Sequence, residues 1–222
     1  MPGLVAEVRA ALRAAADPER ARGMQAYLKT AEPCLGVRLP EVRRLTRAAA
    51  TEDPPRTAAD VGQAAGTLWR AAAHREERYA AVALTGLPVA RGALELLPLH
   101  EEMITTGAWW DLVDGVAGRI RDLLLAHPAQ LRPVLRDWAR SPDRWLRRSA
   151  VIAQLGAKDR TDRSLLAEVI EVNATDPEFF VRKAIGWALR DLAKSDPDWV
   201  RAFLAGHELS PLSRREAAKH LS

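Results

Sequence analysis

Aligning SPDRWLRRSAVIAQL, which begins at Ser141, with DPEFFVRKAIGWAL, which begins at Asp176, superposes Pro142 on Pro177, Trp145 on Phe180 and Arg147 on Arg182. The period is 35 residues. A chain that repeats at this interval must stack one supersecondary unit on the next, because a single unit cannot bury its own apolar face. One step back from Trp145 lands on Trp110, and two steps back from RRSAVIA (Arg147 to Ala153) fall on ERYAAVA (Glu77 to Ala83). Apolar residues recur at helical spacing nearly everywhere, as in LVAEVRAALRAAA and RIRDLLLAH, and alternating β-type runs are missing. The motifs ADPE, RLPE, EDPP, AHPA, RSPD, TDPE, SDPD and LSPL each put proline where a first helical turn accepts it. The expected fold is all-α, a HEAT-like helical repeat solenoid with a concave basic face, built from helices of roughly 10 to 17 residues.

At 222 residues the chain is long enough to bury a core without disulfides or metal, and a single domain over 1–222 is expected. Its net charge of +4 points toward a polyanionic partner. The surplus is uneven: Arg119 to Arg148 holds eight arginines against three aspartates, so an acidic partner should meet the middle of the chain. Cys34 is the only cysteine, which excludes an internal disulfide, and it reads as a small buried apolar residue. The longest uncharged stretch, Tyr79 to Ala90, contains a proline and is far short of the ~20 residues that span a bilayer. No membrane association and a cytoplasmic location are expected. The segment HEEMI at His100 begins like a zinc-protease helix but has Ile104 where a second histidine belongs, and phosphate-cradling glycine loops are missing. No metal and no cofactor are expected.

One column of the repeat register reads Arg43, Arg78, Val113, Arg148, Lys183. Like positions in a solenoid lie along one surface, so its four basic members would form a ladder able to track a phosphate backbone. Solvated faces with aliphatic stems over their neighbours explain the same pattern. Where the ladder breaks, Val113 is followed by Asp114, which is i+4 from Trp110 on a helix starting near that tryptophan. Later in the chain Lys183, Trp187 and Arg190 are i, i+4 and i+7, which again puts an aromatic and two cations on one side. With Asp111 as N-cap, Asp114 would fall in the first turn, where a carboxylate suits the helix dipole, so spacing alone leaves a structural role open. Trp187 is open in the same way, since Trp69, Trp138 and Trp199 all read as core. Adjacent Trp109 and Trp110 point in different directions, so one is left for a surface role, and Trp109 is expected among the DNA-binding residues.

Five stretches, in order across about 200 residues, resemble the AlkD-like family of DNA alkylation-repair glycosylases. They are MQAYLKTAEPCLGVRLPEVRRL (Met24 to Leu45), WWDLVD (Trp109 to Asp114), RWLRRSAVI (Arg144 to Ile152), FFVRKAIGWALRDLAK (Phe179 to Lys194) and LSPLSRREAAKH (Leu209 to His220). The resemblance implies a HEAT-like array that holds duplex DNA and removes N3- or N7-alkylated purines; DNA binding in a curved array needs only a monomer, the expected state. It implies that Asp114 is the catalytic carboxylate, that Trp110 and Trp187 surround the damaged nucleotide, and that Arg148 and Arg190 hold the backbone. Tyr27 matches a further DNA-facing position, while Arg38 stands where the family has a neutral polar residue. The family's mode of contact leaves the base in the stack.

Chemistry agrees with this assignment. An alkylated purine is cationic, its departure leaves an oxocarbenium-like sugar, and an ionised Asp114 would offset that charge and orient water. Nearby arginines are expected to hold the carboxyl below its ordinary pKa. Near the C-terminus SRRE reads as a capping box from Ser213 to Glu216, with Arg214 and Arg215 in the first turn, where a phosphate would resolve their conflict with the dipole. Two other readings stay open at this point: a non-catalytic relative that binds unusual DNA structures, and a helical-repeat scaffold for protein partners.

Overall fold

The computed structural model describes residues 2–221, and among them it contains α-helices and short 3-10 turns but no strand. The all-α expectation is met. The chain divides into two compact units, one ending at Leu99 and the other beginning at His100.

The first unit contains α1 (Pro2–Ala14), α2 (Pro18–Leu28), α3 (Leu39–Glu52), α4 (Ala58–Arg70) and α5 (Arg75–Leu84). Helices α1, α3, α4 and α5 pack on one another and bury Leu4, Val8, Leu12, Val42, Val61 and Leu68. Each such aliphatic side chain contributes about 1.5–3 kcal/mol on leaving water. The loop from α2 to α3 is fixed by charge. Buried Glu76 accepts the backbone N–H groups of Leu35 and Gly36, each at 2.8 Å, and of Val37 at 3.2 Å. Gly36 sits at φ +82°, and a Cβ there would lie 2.1 Å from the Asp17 carbonyl oxygen, so only glycine fits. Neighbouring Glu77 pairs with Arg9 at 2.8 Å, and Arg75 pairs with Glu32 at 2.5 Å. Cys34, expected to be buried, is half-buried in this loop, with its thiol directed at the Glu32 carbonyl.

Helix α6 (Leu97–Gly107) contains the boundary, and the second unit continues with α7 (Trp110–Ala126), α8 (Pro128–Ala139), α9 (Arg144–Ile152) and α10 (Arg163–Glu171). It ends with α11 (Phe179–Leu192), α12 (Pro197–Gly206) and α13 (Pro211–Ala217). Helices α7, α9, α11 and α13 pack each on the next, and α8 and α10 pack on one another and on α9. Bonds between elements span close to one repeat. Arg121 donates to the carbonyl of Leu155, Asn173 to that of Ala139, and the Gly156 N–H to Asp191, at separations of 34, 34 and 35 residues. Ion pairs Arg144–Glu178, Arg147–Asp176 and Arg163–Asp196 stitch the same steps.

The proline motifs act in two ways. Pro18, Pro128, Pro197 and Pro211 open their helices, whereas Pro142 and Pro177 stand one residue before the N-caps Asp143 and Glu178. At the C-terminus the expected capping box is displaced. The N-cap of α13 is Ser210, whose hydroxyl accepts from the Ser213 N–H, and Ser213 is buried with its own hydroxyl donating to the Arg182 carbonyl. Arg214 and Arg215 therefore lie in the last turn, where cations agree with the dipole, and the conflict that suggested a phosphate there disappears.

His100 is buried with neither ring nitrogen hydrogen-bonded, and burial, then the charge of Arg119, pulls its pKa down to about 4. The Glu76 clamp generates a prediction for the first unit. Glu76→Ala leaves three N–H groups without an acceptor and should lower stability by about 3 kcal/mol or more in urea unfolding. A loss below about 0.5 kcal/mol would show that this carboxylate does not hold the loop.

Candidate active site

The second unit brings Asp114, Arg148 and Phe180 together. Helix α7 buries Leu112, Val113, Val116, Ala117, Ile120, Leu123 and Leu124 along one stripe, which leaves Trp110 and Asp114 half-buried beside it. Its N-cap is Trp109, not Asp111. Ala108, in the left-handed region at φ 41°, ends the preceding turn, and Trp109 is extended at φ −150°, ψ 147°. Trp109 is held there by edge contacts with Trp145 at 6.0 Å and Phe180 at 5.5 Å. Asp111 thus lies in the first turn and Asp114 in the second, beyond the strongest influence of the helix dipole.

Asp114 meets Arg148 in a bidentate ion pair. The Arg148 Nε donates to Oδ1 at 2.7 Å and Nη2 donates to Oδ2 at 2.8 Å. The remaining terminal nitrogen, Nη1, donates to the carbonyl oxygen of Phe180 at 2.5 Å. One guanidinium therefore joins α7, α9 and α11. The side chains are 6% exposed for Arg148 and 16% for Asp114. Helix α9 is nine residues long and buries Trp145, Leu146, Ser149, Ala150, Val151 and Ile152 as well, so an arginine on its buried face must find its partners inside.

The Asp114 carboxyl is shifted upward from the ordinary aspartate value of 3.8, against the sequence expectation. Burial is the largest cause, opposed by the hydrogen bonds and charge of Arg148, with the charge of Asp111 adding to the rise. Both oxygens accept N–H bonds from a guanidinium, which has no acceptor to offer a carboxylic proton, so the pair is drawn as carboxylate and cation.

The other residues proposed from sequence fall in three settings. On α11 the residues Lys183, Trp187 and Arg190 are half-buried, and both cations reach Glu216 of α13, at 3.2 Å and 3.0 Å. Arg214 and Arg215 are exposed on α13. In the first unit Tyr27 is 73% exposed at the end of α2, Arg43 is exposed on α3, and Arg38 caps α3 from an exposed position. Arg78 pairs with Glu32 at 3.1 Å and lies over the Trp69 ring. The register column is therefore chemically mixed: Val113 and Arg148 are buried, while Arg43 and Lys183 reach solvent.

Two participants escaped the sequence reading. Phe180 contributes a backbone carbonyl, which no side-chain pattern reveals, although its alignment with Trp145 marked the position. Glu216 was read only as half of a capping box, yet it draws in two cations of α11. Among the described residues no cluster of His, Cys, Asp and Glu is placed to hold a metal ion.

Residues 8–221 match the family model for DNA alkylation repair enzymes, so the chain belongs to that family. It is also similar to a solved structure described as a predicted DNA alkylation repair enzyme from Enterococcus faecalis. The two are 31% identical, with a TM-score of 0.83 over 93% of this chain and 97% of that one. Among curated proteins none matches. The fold and the repair family are thereby established.

Arg148→Met would leave a buried carboxylate without its counter-charge and should cost about 3–5 kcal/mol in chemical unfolding. Adding Asp114→Asn should recover part of that loss, because the stranded charge is gone. Strictly additive costs would mean that the two side chains do not act as a pair.

Proposed function

We propose that this protein is a monofunctional DNA glycosylase that excises cationic N3- and N7-alkylated purines, such as 3-methyladenine and 7-methylguanine, from duplex DNA. The observation that carries the reading is the half-buried Asp114 carboxylate, held by Arg148 one helical turn from half-buried Trp110. Membership of a DNA alkylation repair family supplies the substrate class, damaged DNA.

In the proposed reaction the C1′–N bond breaks and its electron pair goes to the purine, which leaves as a neutral base. Positive charge develops on the sugar, and the carboxylate offsets it more strongly than in water because its surroundings are poorly screened. A water oxygen then forms the new bond to C1′ and gives up its proton to Asp114 or solvent, leaving an abasic site. The faces of Trp110 and Trp187 favour the cationic nucleotide. Arg148 acts as a positioning residue: its guanidinium is committed to Asp114 and Phe180, so it fixes the carboxylate in place of reaching for phosphate.

DNA would be held by the exposed or half-exposed residues Tyr27, Arg43, Arg78, Lys183, Arg190, Arg214 and Arg215, with Trp109 bracing the helix start that presents Trp110 and Asp114. Charge on the lesion would select substrates, so the base need not leave the stack, and a monomer suffices.

Asp114→Asn should slow single-turnover release of 7-methylguanine from methylated duplex by about 100-fold or more, since one charge aimed at a transition state is worth this much. Duplex affinity should stay within about threefold, a change under 1 kcal/mol. Release at the unaltered rate by the folded variant would remove Asp114 from the mechanism. Excision of neutral damaged bases at a comparable rate would defeat selection by charge.

A further inference from the structure

Glu216 has more partners than structure alone asks for. Its Oε1 lies 3.2 Å from Lys183 Nζ and 2.8 Å from Lys219 Nζ, while Oε2 lies 3.0 Å from Arg190 Nη1 and 2.9 Å from Lys219 Nζ. Three cations on one carboxylate leave a surplus of two positive charges. The carboxylate is the covered member, its side chain only 8% exposed, whereas Lys219 is 48% exposed and Lys183 and Arg190 are partly open. A buried anion thus gathers the inner sides of three cations whose outer sides reach water. The cations hold the Glu216 carboxyl down to about 2, Lys219 contributing most, so it stays ionised at any pH where DNA is bound.

Backbone packing is shaped to allow this. Gly186, one residue before Trp187, lies inside α11, where glycine costs about 1 kcal/mol relative to alanine. A Cβ there would sit 2.4 Å from the Glu216 Cβ and 2.8 Å from the Ser213 carbonyl oxygen. The glycine lets α13 seat deeply enough to place Glu216 beneath cations of α11. Lys183 and Arg190 lie one turn on either side of half-buried Trp187. The nearest other acid along α11, Asp191, is occupied by Lys194 at 3.0 Å and the Gly156 N–H at 2.6 Å.

We propose that Lys183, Arg190 and Lys219 form a crown that binds one backbone phosphate of duplex DNA beside Trp187, with Glu216 as the residue that positions all three. The proposal rests on the DNA-binding role inferred above and assigns Lys219 and Glu216 parts in it. Without its central anion the crown would fly apart by mutual repulsion, and each cation would meet phosphate as a separate, mobile side chain.

The test measures binding of undamaged duplex DNA as a function of salt, with thermal melting as a check on folding. Glu216→Gln makes the protein one unit more positive, so a merely electrostatic surface binds DNA more tightly, whereas a dismantled crown binds at least several-fold more weakly. Weaker binding is the expected result; equal or tighter binding by the folded variant overturns the proposal. Lys219→Gln, a change at an exposed side chain, decides the matter if Glu216→Gln does not fold. It should weaken binding and make the log–log salt slope shallower by up to about 0.9, the share of one phosphate. An unchanged slope and affinity overturn the crown. Asp114→Asn separates the two readings. It should keep the salt slope while losing excision, so a failed excision assay leaves the crown standing, and an unaltered Lys219→Gln slope leaves the glycosylase standing.

Discussion

The bidentate pair of Asp114 and Arg148 is the interaction on which the rest of the second unit depends. Taking two charges out of water costs several kcal/mol per ion, and the attraction recovers this only with good geometry and further hydrogen bonds. Both conditions hold here: two short N–H bonds to the carboxylate and a third to the Phe180 carbonyl. Apolar side chains of similar volume in place of such a pair often stabilise a protein as well or better. What an apolar pair would not provide is a carboxylate held by a guanidinium that joins three helices, with Trp110 one turn away.

Two carboxylates of this unit show how surroundings set charge. Asp114 is half-buried with one cationic partner, and the loss of water around it outweighs that partner, so its pKa rises. Glu216 is at least as well covered but has three cationic partners, and its pKa falls to about 2. The first responds to its surroundings, which suits the chemistry proposed for it. The second is a permanent anion that organises positive charge. The chain's modest surplus of +4 conceals this arrangement, because what matters is which cations are committed inside the protein and which stand at the surface.

Much of the architecture was legible in the sequence because it rests on periodicity. The 35-residue register placed Trp145 over Phe180, and those rings lie 5.0 Å apart. Hydrogen bonds spanning 34 or 35 residues follow the same interval. The same register misjudged exposure: it lined up Arg148 with Arg43 as a basic ladder, yet the two differ in burial, since spacing along a helix does not say what packs against it. Helix starts failed where tertiary contacts overrode local preference. Trp109 caps α7 through its aromatic neighbours, although Asp111 has the better capping side chain. Ser213 was drawn inward to Arg182, leaving Ser210 to cap α13. The direction of the Asp114 shift was missed because sequence shows the arginines but not the depth at which the carboxyl lies.

The central claim is that a buried, ionised Asp114 offsets charge on the departing nucleotide's sugar. Its most direct test is the rate of single-turnover 7-methylguanine release from about pH 8 down to about pH 4, with the fold monitored because His100 begins to protonate near the lower limit. A raised pKa means the carboxylate takes up its proton sooner as pH falls. The account therefore predicts a loss of rate whose midpoint lies above the ordinary aspartate value of 3.8, moving further upward when Arg148 is replaced by methionine. A rate that stays level while the protein remains folded, through the pH at which Asp114 is shown to protonate, would contradict it.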